Sequence, residues 1–134
     1  MNTGVTATDW EPLRKALGGR LSLGESLARH TAFRVGGPAE AWARADDEAQ
    51  LLACLAFARE RGLTITLLAR GTNVLIRDGG VRGLVLGLGG TFDSFEISGT
   101  RLRAGSAMNL ALLARKTALA GLKGLEWAVG IPGS

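Results

Sequence analysis

The chain has 134 residues, room for one ordinary domain, and its 46% apolar content excludes disorder over most of its length. Its 16 basic and 12 acidic residues leave a scattered net charge of +4, which suits an anionic small ligand and does not call for nucleic acid. One cysteine, Cys54, excludes an internal disulfide; there is no apolar run near ~18 residues to cross a membrane and no leader in Met1–Trp10, so the expected location is the cytoplasm.

Glycine is the outlier, at 20 residues without a period, and predicts many tight turns. Asp9 is placed to cap a short helix running to Leu17, with Pro12 in its first turn and Gly18-Gly19 after it. Residues 20–32 read as an irregular connection. Phe33-Arg34-Val35 reads as a short strand stopping at Gly36-Gly37-Pro38. Glu40–Ala45, where Trp42 alternates with small residues, predicts a strand. Asp46 is expected to cap a helix with an acidic first turn, a stripe of Leu51, Leu52, Leu55 and Ala58 flanked by Cys54 and Phe57, and a stop at Gly62.

Thr64–Leu68 is the next β-rich run, so strand, helix and strand predict a βαβ unit with parallel strands. Further strands are expected at Val74-Leu75-Ile76 and Leu84-Val85-Leu86, with a loop at Gly87-Leu88-Gly89-Gly90. Phe95–Ser98 and Arg101–Ala104 alternate around Gly99-Thr100 and predict a hairpin. Asn109 is expected to cap a helix with Leu110, Leu113, Ala114 and Thr117 on one stripe and Gly121 as its stop. Gly124–Ser134 shows no period, and a chain ending in a glycine–proline loop is expected to be a truncated piece.

Two loops carry the chemical signal. Ala69-Arg70-Gly71-Thr72-Asn73-Val74-Leu75 is expected at the carboxyl end of a parallel strand, where α/β sheets gather ligands. A glycine there lets N–H groups converge on an oxyanion, Thr72 and Asn73 add donors, and Arg70 adds a planar fork suited to phosphate. An ordinary turn explains the same residues, and spacing alone favours it. Gly130-Ile131-Pro132-Gly133-Ser134 is a second stiff loop with backbone donors; a tail is the plain alternative.

The fingerprints of P-loop nucleotidases and nucleophile-elbow hydrolases are missing, and Gly87-Leu88-Gly89 falls short of a dinucleotide fingerprint because Phe92 takes the third glycine's place. One His and one Cys do not make a metal constellation. His30 has no evident acidic partner, and a structural or surface role is expected. Cys54 is expected to be inert core, and Trp10, Trp42 and Trp127 to be packing. Glu126 is left open between a polar contact and a solvated residue.

Taken in order, Thr31–Ala39, Ala69–Leu75, Gly121–Glu126 and Gly130–Ser134 resemble the motifs of the UDP-N-acetylenolpyruvoylglucosamine reductase (UDP-N-acetylmuramate dehydrogenase) family over residues 23–134. The resemblance implies an α+β chain with the FAD-binding fold of vanillyl alcohol oxidase and p-cresol methylhydroxylase, mixed sheets and a βαβ unit, here incomplete. It divides the chain into an amino-terminal helix and lead-in, 1–22, and the FAD domain, 23–134, with the substrate domain absent. Ala69, Arg70, Gly71, Thr72, Asn73, Val74 and Leu75, with Gly130, Ile131, Pro132, Gly133 and Ser134, would then bind FAD. The implied activity is NADPH-dependent reduction of an enolpyruvyl UDP-sugar in peptidoglycan synthesis. No catalytic residue carries over, and the fragment is expected to be inactive alone. Partners are expected to be the UDP-sugar substrate, without nucleic acid or membrane. Arg70 and Thr72 stand where the family has Gly and Ser. That variant keeps open another FAD-linked oxidase of the same fold; a non-catalytic nucleotide-binding module is the third reading.

Overall fold

The computed structural model describes residues 8–131 and Gly133. The first helix, α1, is Glu11–Ala16. Its cap position is Trp10 rather than Asp9, although Asp9 Oδ1 still accepts from the Glu11 N–H at 3.1 Å. Residues 20–32, expected to be irregular, contain strand β1, Leu21–Ser26, and a 3-10 turn at Leu27–His30. Of that strand only Leu21 is buried, so its identity comes from pairing and not from its own pattern. Phe33-Arg34-Val35 is not a strand. It is a turn in which Arg34 adopts φ 54°, the Arg34 N–H donates to Thr31 O, and the Thr31 hydroxyl donates to Val35 O at 2.8 Å.

Strand β2, Pro38–Ala45, leads into helix α2, Glu48–Glu60. Asp47, not Asp46, caps this helix: its carboxylate accepts from the Gln50 N–H at 2.8 Å, while Gln50 Oε1 accepts from the Asp46 N–H at 2.9 Å. The buried face is also rotated from the expected stripe. Cys54, Phe57 and Ala58 face the core with Leu51 beside them, and Leu52 and Leu55 are exposed. Strand β3 is Ile65–Leu67. Val74-Leu75-Ile76 forms no strand; the strand expected at Leu84-Val85-Leu86 is β4, which begins earlier and ends later than expected, Val81–Leu88, taking in Gly87 and Leu88.

These strands form one mixed sheet in the order β1-β2-β4-β3. β1 is antiparallel to β2, and β4 is parallel to both β2 and β3. The strands of the βαβ unit are therefore parallel but not neighbours, because β4 lies between them. Between Ala39 and Ala41 the register slips, and the Gly83 N–H beside the slip donates to Glu40 Oε2 at 2.9 Å.

The sheet separates two apolar layers. On one side α1 and α2 pack Trp10, Leu13, Leu17 and Phe57 against Ala41, Ala43, Ala45, Leu84 and Leu86. The Trp10 and Phe57 rings meet at 5.4 Å. Leu27, Leu68 and Val85 form a smaller cluster, joined by the half-buried Trp42. The expected hairpin is present as β5, Phe95–Ser98, and β6, Arg101–Ala104, with Ser98 opposite Arg101. Helix α3, Leu110–Leu119, is capped by Asn109, whose side chain accepts from the Leu112 N–H at 2.7 Å. A 3-10 turn at Glu126–Gly130 follows, where no regular element was expected.

Candidate functional site

The parallel strands β2, β4 and β3 end at Ala45, Leu88 and Leu67, and their carboxyl ends open onto a groove. It consists of two adjoining cavities of about 340 and 270 Å³ that share Arg44, Leu68, Ala69, Arg70 and Leu88. Larger clefts of about 450 and 550 Å³ lie beside α3 and beneath the β5–β6 hairpin, but neither includes a residue of 69–75. The groove is the site the chemistry favours, because it sits at the carboxyl ends of parallel strands and is lined by the first two residues of the 69–75 loop.

The 69–75 loop is seated by a single main-chain bond, from the Ala32 N–H to the Gly71 carbonyl at 2.9 Å. Gly71 is buried with φ 60°, and a Cβ there would overlap the His30 carbonyl oxygen. Both conditions admit glycine alone. Among the described residues, none of the N–H groups from Ala69 to Leu75 donates to a protein acceptor. Exposed N–H groups in succession form the concavity that binds anions. Ala69 and Arg70 line the groove; Gly71, Thr72, Asn73, Val74 and Leu75 do not, and all but Gly71 are exposed.

The second expected loop stands apart. Gly130, Ile131 and Gly133 do not line the groove, and the Ile131 N–H, expected to be a free donor, is engaged by Ala128 O at 3.2 Å. The Gly133 carbonyl accepts from the Leu110 N–H at 3.5 Å, at the start of α3. Ser106 and Ala107, just before that helix, face Ala69 and Arg70 across the groove. Pro132 and Ser134 lie outside the described residues.

Three side chains not expected in a site line this groove: His30, expected to be structural or surface, Trp42, expected to be packing, and Arg44, which was not singled out. His30 does have an acidic partner, since its Nε2 lies 3.1 Å from Glu25 Oε1, and its ring stacks on Trp42 at 4.1 Å. Arg44 Nε donates to Asp46 Oδ1 at 2.9 Å, and Arg20 holds the other oxygen of that carboxylate at 3.3 Å. The signal was present in β2, where Glu40, Trp42 and Arg44 alternate with alanines that face the helices. Arg29 completes the basic wall, and Arg70 has no carboxylate in ion-pair range among the described residues.

Other expectations resolve individually. Cys54 is buried, and that burial pushes its thiol pKa up to about 11, the property of an inert thiol. Trp10 packs as expected, whereas Trp127 is exposed and its Nε1–H donates to Gly124 O at 3.0 Å. Glu126 is a polar contact: its carboxylate accepts from its own N–H and the Gly124 N–H, which hold its pKa below the usual range. Among the described residues no cluster of metal-ligating side chains exists, and no helix is long and apolar enough to cross a membrane.

The chain is similar to known proteins in sequence and in fold. The chain is 44% identical over 110 residues to a UDP-N-acetylenolpyruvoylglucosamine reductase of Rubrobacter xylanophilus, covering 82% of this chain and 37% of that protein. It is also 44% identical over 126 residues to the protein of that name from a Caulobacter species, covering 93% of this chain and 41% of that one. The crystal structure of the UDP-N-acetylenolpyruvylglucosamine reductase from Thermus caldophilus superposes with a TM-score of 0.66 at 32% identity, over 84% of this chain and 38% of that chain. The chain thus spans about two fifths of the length of these relatives. Residues 39–134, which contain β3, β4, all of β2 but Pro38, and both glycine loops, match the family described as FAD binding domain, and the chain belongs to that family.

Proposed function

We propose that this chain is the FAD-diphosphate-holding part of an NADPH-dependent reductase that converts UDP-N-acetylglucosamine enolpyruvate to UDP-N-acetylmuramate in peptidoglycan synthesis. The observation that carries the reading is the run of uncommitted N–H groups from Ala69 to Leu75 beside a groove walled by arginines. A dinucleotide diphosphate is the ligand such a site fits, since main-chain N–H groups and guanidinium forks both satisfy phosphate oxygens. Gly71 is the cradle position, where a side chain would displace the His30 carbonyl and lift the loop. The names of the similar reductases support the same substrate class.

FAD, when bound, supplies the two-electron carrier between NADPH and the enolpyruvyl double bond. The part assigned to this chain is to hold the diphosphate. The amides of the loop that begins with Ala69 and Arg70 in the groove wall neutralise its charge, Arg70 faces the groove with no carboxylate partner among the described residues, and Leu68 and Leu88 keep that charge near low-dielectric walls. Gly130, Ile131, Pro132, Gly133 and Ser134 are proposed as the second contact with the same ligand.

Flavin fluorescence titration of the 134-residue chain, and of a longer protein that includes the region found in the relatives, tests this. Tight FAD uptake by the longer protein and weak uptake by the chain, without NADPH turnover by the chain, are the expected results. A longer protein that purifies without flavin and takes none up would end the proposal.

A further inference from the structure

We propose that Arg44 is a phosphate-gripping residue of the groove, in addition to the 69–75 loop; this rests on the FAD reading above. Arg44 lies in the wall common to both cavities, together with Arg70. Three observations distinguish it from an ordinary surface arginine.

Gly89 lies against the Nε–Nη2 edge of the Arg44 guanidinium, and a Cβ on that glycine would collide with both nitrogens. The Gly89 N–H is itself bound to Ala45 O at 2.9 Å, which fixes the backbone beside that edge. One edge of the fork is tied down, because Nε donates to Asp46 Oδ1 at 2.9 Å and Arg20 steadies that carboxylate from its other side. Half of the side chain stays open to solvent, and neither Nη donates to a protein acceptor among the described residues. A guanidinium with Nε anchored and its remaining N–H groups free is pre-oriented for an anion, with little rotamer entropy left to lose.

The arrangement therefore sets Arg44 and Arg70 on the walls of a groove beside the free amides. The ligand class it selects is a diphosphate, not a neutral flavin. The test compares FAD and riboflavin as probes of the 134-residue chain and of the longer protein, each with Arg44→Gln, Arg44→Lys and Gly89→Ala, and with circular dichroism as the check on folding. Arg44→Gln is expected to weaken FAD about tenfold or more, leave riboflavin unchanged and flatten the salt dependence of FAD binding. Arg44→Lys keeps the charge but loses the fork, so an intermediate loss is expected. Gly89→Ala leaves the arginine in place but displaces its guanidinium, and is expected to follow Arg44→Gln. FAD affinity within about twofold of wild type in folded Arg44→Gln would overturn the assignment, the loss being set against the typical strength of charge-assisted hydrogen bonds. So would a parallel loss of riboflavin. Wild-type protein that binds no FAD overturns this assignment and the functional reading together, whereas FAD uptake insensitive to Arg44→Gln overturns this assignment alone.

Discussion

Replacing Gly71 with alanine bears most directly on the site. The residue sits at φ 60°, and the left-handed conformation costs an L side chain roughly 1–2 kcal/mol. The new Cβ would also overlap the His30 carbonyl, so the 30–32 segment must move and the Ala32-to-Gly71 bond is lost, for a further ~1 kcal/mol. The sum is about 2–3 kcal/mol, which for a domain of this size lowers Tm by roughly 10 °C. Because the displaced segment carries His30 into the groove wall, FAD affinity should fall as well. Thermal unfolding followed by far-ultraviolet circular dichroism measures the first effect, and flavin titration below both midpoints measures the second. A variant with the wild-type Tm would show that the loop is not seated on residues 30–32, and the account of the amide nest would fail with it.

Asp47→Ala removes the acceptor of the Gln50 N–H and should destabilise the protein by about 1 kcal/mol, whereas Asp46→Ala leaves that cap in place; urea unfolding of the pair decides which aspartate caps the helix. Cys54 has its folded pKa raised from 9.0 to about 11, so its contribution is complete below pH 9 and is lost as pH rises through 11. Stability measured between pH 9 and 11 should therefore fall more steeply in the wild type than in Cys54→Ala, and equal slopes would refute the burial argument.

The elements legible in the sequence are those with local signals. Asn109 sits three residues before the N–H it caps, and Gly99-Thr100 closes the β5–β6 pairing without help from distant residues. Helix α2 was legible in extent, but its cap shifted by one residue because Asp46 is drawn away by two arginines. That competition is tertiary and invisible in a run of acidic residues. β1 was missed because it buries only Leu21 and exists through its ladder to β2. Val74-Leu75-Ile76 was misread for the converse reason: β-branched residues there meet no strand edge. The assignment of the 69–75 segment to a ligand came from the family resemblance, since its residue types alone favoured an ordinary turn; as a glycine turn the segment was legible. The Arg44 and Trp42 wall was not, since single large residues alternating with alanine resemble ordinary sheet packing until the glycines opposite are placed.

The central position of β4 governs the order in which the domain assembles. β2 and β3 precede β4 along the chain, yet they meet only through it. Until Leu88 has left the ribosome, the alanine face of β2 and the edge of β3 have no common partner, and α2 has no completed layer to cover. A chain of the first eighty residues thus carries β2 and β3 without the strand that joins them, and the sheet closes only when β4 pairs with a parallel neighbour on each side. Such long-range closure is slow and exposes sticky edges while it waits. Chaperone dependence during synthesis should accordingly be concentrated in the interval between the emergence of β3 and that of β4.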